Sequence, residues 1–176
     1  MITQANKCAR LWPIFLVSIF FLAGPALAEK ADRDKPTVID SQQLHHDEQR
    51  QITTFTGNVV LTKGTIVMRG DVMLLWKDEA GNNYGTVTGN PARFRQKRDG
   101  VNEFMDGEAQ RLIYNGKDDV VTLIDEATLR RLEGDLVQDQ VAGDEVIYNN
   151  VTEQYQVESS RSQQRSRVVR SPTKRE

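Results

Sequence analysis

Between Thr37 and Glu158 apolar and polar side chains alternate almost without a break, and Gly, Asn or Asp interrupts the alternation about every 8 to 15 residues. A period of two puts one set of side chains on each face of an extended chain, a pattern no helix satisfies. The interrupting residues are those that turn a chain back on itself. The segment therefore predicts an all-β domain of many short antiparallel strands. The stretch "ATLRRLEGDL" from Ala127 has a competing helical pattern, but Gly134 breaks it and its first half alternates equally well, so it too reads as strand.

The strands repeat. "TGNVVL" at Thr56 to Leu61 returns as "TGNPARF" at Thr88 to Phe94 and, more weakly, as "IDEATL" at Ile124 to Leu129. A second phrase, with a small residue, a polar one and apolar residues three and five places on, occurs as "SQQLHHD" from Ser41, "GDVMLLW" from Gly70, "AQRLIYN" from Ala109 and "GDEVIYN" from Gly143. The spacings of 29, 39 and 34 residues amount to about one hairpin per unit, the mark of an elongated, stacked β architecture.

Offsets of three and five share a face, which gathers Leu44, His46, Met73, Leu75, Leu112, Tyr114, Val146 and Tyr148 into one apolar lining. Phe55, Val59, Leu61, Ile66, Met68, Val121 and Leu123 extend it, and Ile39, Phe94, Phe104 and Leu129 complete the candidate set. Two readings fit such a stripe: the packed core of a sandwich, or the wall of an apolar groove. Apolar stripes usually mean packing, so the pattern by itself favours the sandwich core.

Catalytic groups are hard to assemble from this chain. His45 and His46 are its only histidines and, as strand neighbours, point to opposite faces, so they do not chelate one ion together; no metal site is expected. Asp118-Asp119 and Asp144-Glu145 have the residue types for glycosidic work but occupy turn-like or solvent-facing positions. A nucleophile elbow, a phosphate loop and a dinucleotide fingerprint are all missing, so neither an enzyme nor a bound cofactor is expected.

The flanks differ from the centre. Met1 to Ala28 carries Lys7 and Arg10, an apolar run from Leu11 to Ala23, and Ala26-Leu27-Ala28 before Glu29, which reads as a cleaved secretory signal. Cleavage would remove the only cysteine, Cys8, leaving no thiol chemistry. It would also take two of the 23 basic side chains, leaving 21 against 25 acidic ones and a net charge of −4, which argues against a nucleic-acid partner. Residues 29–160 form the expected β domain. Residues 161–176, rich in Arg, Ser and Gln, read as a basic disordered tail.

Taken in order, "PTVIDSQQL", "TFTGNVVLTKGTIVMRGDVMLL", "GNPARF", "GEAQRLIY", "VVTLIDEATL" and "VAGDEVIY" resemble the organic-solvent-tolerance-like family of periplasmic lipopolysaccharide-transport bridge proteins, over about Pro36 to Glu158. The resemblance implies a twisted, half-open β-jellyroll: two antiparallel sheets in a V, elongated, with an apolar interior groove that receives the acyl chains of lipid A. On that reading the lining from Ile39 to Tyr148 is the binding site. The implied partners are lipopolysaccharide, an inner-membrane ATP-hydrolysing transporter complex with its tethered β-jellyroll subunit, and an outer-membrane translocon.

An open sheet also has two ends, expected near Thr37 to Asp40 and Val151 to Val157, that suit head-to-tail self-association. Two positions depart from the family pattern: Asp125 replaces a usual glycine, and His46 a usual apolar residue. The competing readings are the membrane-tethered partner of the same fold, which the Ala-Leu-Ala site disfavours, and a carbohydrate-active β-protein, for which only the outward Trp76 speaks.

Overall fold

The structure, a computed structural model, describes residues 32, 35–159 and 166–171. The expected signal segment, 1–28, lies outside them, as does most of the expected tail. Ten strands follow in chain order: β1 (Thr37–Asp40), β2 (Gln43–Asp47), β3 (Ile52–Lys63), β4 (Ile66–Lys77), β5 (Asn83–Lys97), β6 (Glu103–Asn115), β7 (Val120–Glu133), β8 (Leu136–Asn149), β9 (Gln154–Glu158) and β10 (Arg167–Arg170). All pairings are antiparallel, and β3 to β8 form an uninterrupted meander.

The six central strands are 12 to 15 residues long, not short as expected. Each runs through an irregularity instead of stopping at it. The register slips between Thr56 and Val59 on β3, Arg69 and Val72 on β4, Thr88 and Ala92 on β5, Glu108 and Arg111 on β6, and Ile124 and Ala127 on β7. Bulges bend and twist the strand that carries them. Lying side by side, these form a crease across the sheet.

The crease divides every long strand into two halves, and so makes two layers. One runs β2, then the half-strands of β3 to β8 that include Phe55, Met73, Val87, Leu112, Leu123 and Val146, then β9. The other runs β1, the remaining halves with Leu61, Met68, Phe94, Met105, Leu129 and Val141, then β10. The expected pair of sheets is thus one sheet folded over itself, a half-open jellyroll that does not close into a barrel.

On β3 and β7 the crease is built from two consecutive left-handed residues, Gly57 (φ 85°) with Asn58 (φ 47°) and Asp125 (φ 63°) with Glu126 (φ 56°). On β4, β6 and β8 it falls at the small-polar start of the repeated phrase, at Gly70, Ala109 and Gly143. What the sequence presents as a repeat is therefore the bend itself.

Inside the fold, Phe55, Val59, Met73, Phe94, Leu112, Val121, Leu123, Leu129 and Val146 pack from both layers into one core. The layers touch closely near the crease: a Cβ placed on Gly107 would lie 2.8 Å from Leu123 Cδ2, across the fold. On the outer face, Arg130 pairs with Glu108 at 2.5 Å, Arg93 with Glu108 and Arg95 with Asp106 at 3.6 Å, a solvated charge ladder of modest energetic weight. Of the segment expected to be a disordered tail, Arg167 to Arg170 instead forms β10 along β8, where Ser171 N and Oγ also donate to the carbonyls of Gln138 and Val137.

Candidate functional site

Because the layers meet at the crease and diverge from it, a cavity of about 440 Å³ opens toward the strand tips. That is within the ~300–1,000 Å³ typical of small-molecule sites. Ile39, Leu61, Ile66, Met68, Met73, Leu75, Leu112, Tyr114 and Tyr148, all expected in the lining, wall it. Val87 and Met105 join them, without having been identified from the sequence. Tyr84 borders the cavity mouth, but its ring lies on the opposite face, beside its cross-strand partner Trp76. Tyr84 stacks on Trp76 at 6.0 Å between ring centroids and donates its hydroxyl to Asp78 at 3.2 Å.

Other expected residues do not reach the cavity. Phe55, Val59, Phe94, Val121, Leu123 and Val146 are buried in the core, mostly beside the crease, while Leu129 walls a second cavity of about 180 Å³ toward β8. The apolar stripe is thus divided between two places, core at the crease and cavity wall toward the tips. Leu44 pairs with Phe55 but stands on the edge strand β2, 63 % exposed. His46, further along the same edge, bonds Thr53 Oγ1 at 2.9 Å and Glu48 at 3.0 Å and lies outside the cavity.

Phe104 is a correction. Its neighbour Met105 is buried and faces inward, so Phe104 projects from the outer face, where the Arg95 guanidinium lies 4.5 Å from its ring centroid. Two adjacent apolar residues leave the inward one ambiguous, and a stacked guanidinium lets the outward ring be half-buried at little cost.

The mouth is polar. Lys63, Lys97 and Arg98 rim it on one lip, and Asn83, Asp119, Asn150 and Glu153 on the other. Asn150 donates to Asp119 at 2.9 Å; its own Oδ1, like Gln96 Oε1, is buried with no hydrogen-bond partner among the described residues. Asp32 accepts from Thr65 N at 2.7 Å and from Thr65 Oγ1 at 2.5 Å, holding the turn between β3 and β4. Deeper in, burial pushes the Tyr148 phenol up to about 12, with the Glu153 charge adding to the shift. Among the described residues no three His, Cys, Asp or Glu side chains converge as metal ligands.

A creased antiparallel sheet with an interior apolar trough and two open ends defines a half-open β-jellyroll. Comparison with known proteins identifies the family. Residues 38–154 match the model of the LptA/(LptD N-terminal domain) LPS transport proteins, and the chain belongs to that family.

It is 33% identical over 119 residues to the lipopolysaccharide export system protein LptA of Escherichia coli K12, which covers 66% of this chain. The aligned region spans 64% of that relative's length. The LptA of Haemophilus influenzae is 30% identical over 123 residues, 68% of this chain and 71% of the relative. In fold the chain is similar to the crystal structure of LptH from Pseudomonas aeruginosa, titled the LptA homologous periplasmic component of the lipopolysaccharide transport device, with a TM-score of 0.72 and 21% identity over 81% of this chain and 99% of that one.

Proposed function

We propose that the chain is a periplasmic carrier that binds lipopolysaccharide through its acyl chains and forms part of the bridge along which that lipid passes from the inner to the outer membrane. The observation that carries this reading is the cavity: apolar walls from both layers, a polar mouth, and a trough that ends at open sheet edges. Each methylene moved out of water onto such walls gains ~0.8 kcal/mol, so a chain of about a dozen carbons gains roughly 10 kcal/mol. The polar rim lets the sugar head group stay in solvent at the mouth.

The carrier does no chemistry; it supplies a nearly level path, and the drive comes from a nucleotide-hydrolysing complex at the inner membrane. Partners of the same fold, on either membrane, add to the sheet edges, as do further copies of this chain, head to tail. The names of the relatives support this reading, since they are lipopolysaccharide export proteins. Mass spectrometry of protein purified from the periplasm without detergent tests it. Co-purifying lipopolysaccharide is the expected result, and protein recovered lipid-free under conditions that retain bound lipid on a relative overturns it.

A further inference from the structure

The trough is not continuous. The 440 Å³ and 180 Å³ cavities have Arg98, Met105, Tyr148 and Glu153 in common, so these four residues form the partition between them. Arg98 stands in the turn after β5 on one lip, and Glu153 in the turn before β9 on the other. Their side chains are ion-paired across the mouth, and the same guanidinium also pairs with Glu103 of its own hairpin.

Beyond the partition the inward positions turn from apolar to charged. Arg131 pairs with Glu103 at 3.2 Å and with Asp139, which Arg170 of β10 approaches at 3.7 Å. An apolar chain sliding from the larger cavity toward β8 therefore meets a bolt of ion pairs at Arg98. The two ends of the bolt are held unequally. Glu103 lies in β6 and is shared with Arg131. Glu153 sits in an exposed turn with a left-handed backbone (φ 54°), a conformation that costs a non-glycine residue free energy.

An arginine fork binds phosphate with the same two-pronged geometry it uses for carboxylate. An amphiphile whose apolar tail lies along Met73, Leu75 and Met105 would bring an anionic head to this point of the mouth. We propose that Arg98 is an anion-binding subsite at the partition: it exchanges Glu153 for the phosphate of a bound amphiphile, and that exchange opens the passage between the two cavities. The proposal rests on the lipid-trough reading and adds to it the head-group chemistry and a gate. Lys63 and Lys97 on the same lip are the alternative cations, so the test must separate them from Arg98.

The test compares binding of decyl phosphate and of uncharged decanol, by calorimetry, to the wild-type chain and to Glu153→Gln and Arg98→Gln. The ratio of the two affinities isolates the head group. Removing the competing carboxylate in Glu153→Gln raises that ratio about tenfold, the worth of one charge-assisted hydrogen bond. Arg98→Gln brings it close to one. The Glu153 variant alters only a turn side chain, so it is decisive even if the Arg98 variant folds poorly. A ratio that Glu153→Gln leaves unmoved overturns the exchange while leaving the trough intact, as does a phosphate preference that survives Arg98→Gln. Failure of the wild-type chain to bind either probe overturns the trough and the gate together.

Discussion

Gly57 and Asp125 occupy the same station on two different strands: each is the first of two consecutive left-handed residues at the crease, with φ of 85° on β3 and 63° on β7. The geometry is kept although the residue type is not. Asp tolerates this region better than most side chains but worse than glycine. Asp125→Gly is accordingly expected to raise unfolding stability by about 0.5–1 kcal/mol, and Gly57→Ala to lower it by about 1–2 kcal/mol. The alanine methyl would also sit 2.4 Å from Gln42 Oε1. Urea unfolding midpoints measured side by side check both signs; a loss of stability in Asp125→Gly refutes the equivalence.

The division of the apolar stripe into core and wall can be read out by photo-crosslinking. A benzophenone side chain at Leu75 or Tyr114, which wall the cavity, is expected to capture lipopolysaccharide, whereas one at the exposed Lys77 is not. Phe94, only 1% exposed and packed at the crease, is a second negative site despite its inward direction. Leu75→Asp sets an unpaired carboxylate in the wall at a cost of several kcal/mol to binding. Equal capture at Leu75 and Lys77 would remove the case for the trough.

Tyr148 makes the domain sensitive to alkali. Burial raises its folded-state pKa to about 12, above the unfolded value near 10, so the neutral phenol stabilises the fold fully below pH ~10. Between about 10 and 12 the unfolded chain has released this proton and the folded one has not, so stability falls as pH rises, by an amount on the order of 2–3 kcal/mol. Denaturant unfolding at pH 9, 10.5 and 12 should show a shallower loss for Tyr148→Phe than for wild type. Parallel curves would mean that this phenol is not the group responsible.

The proposed end-to-end association would rest on apolar side chains that point inward at the open edges and are left exposed there. At one end Leu44 is 63% exposed; at the other Tyr155 is 41% and Val168 54% exposed. An inward charge on an edge strand blocks addition of another sheet while costing the exposed site little. Leu44→Lys is expected to hold the protein as monomer over a concentration range in which wild type grows, by light scattering, with no change in melting temperature. Growth identical to wild type would place the joint elsewhere.

How far the residues alone led can be judged at three places. The alternation showed an all-β chain and most of the inward set, because a period of two is fixed by backbone geometry, but it placed Phe104 inward instead of Met105 and passed over Val87. The crease was visible only as a recurring phrase: Gly70-Asp71 and Gly143-Asp144 look like turn residues, and nothing local distinguishes a turn that ends a strand from a bulge that bends it. Arg98 and Glu153 were invisible as a pair, since 55 positions separate them and only the fold-over brings the two lips together. The left-handed Asp125 shows the converse, a residue flagged as a departure that the backbone accommodates unchanged.

In a meander whose every strand crosses the crease, neighbours along the chain are also neighbours along the trough. Length and cross-section are thereby encoded separately. The bulge positions set how wide the two layers gape, while the number of hairpins sets how far they run, each added hairpin contributing roughly 10 Å at the usual spacing between strands. A duplicated hairpin would lengthen the conduit without rewiring its topology, and a lost one would shorten it without opening a hole, so evolution can adjust the span of such a protein as one adds or removes planks.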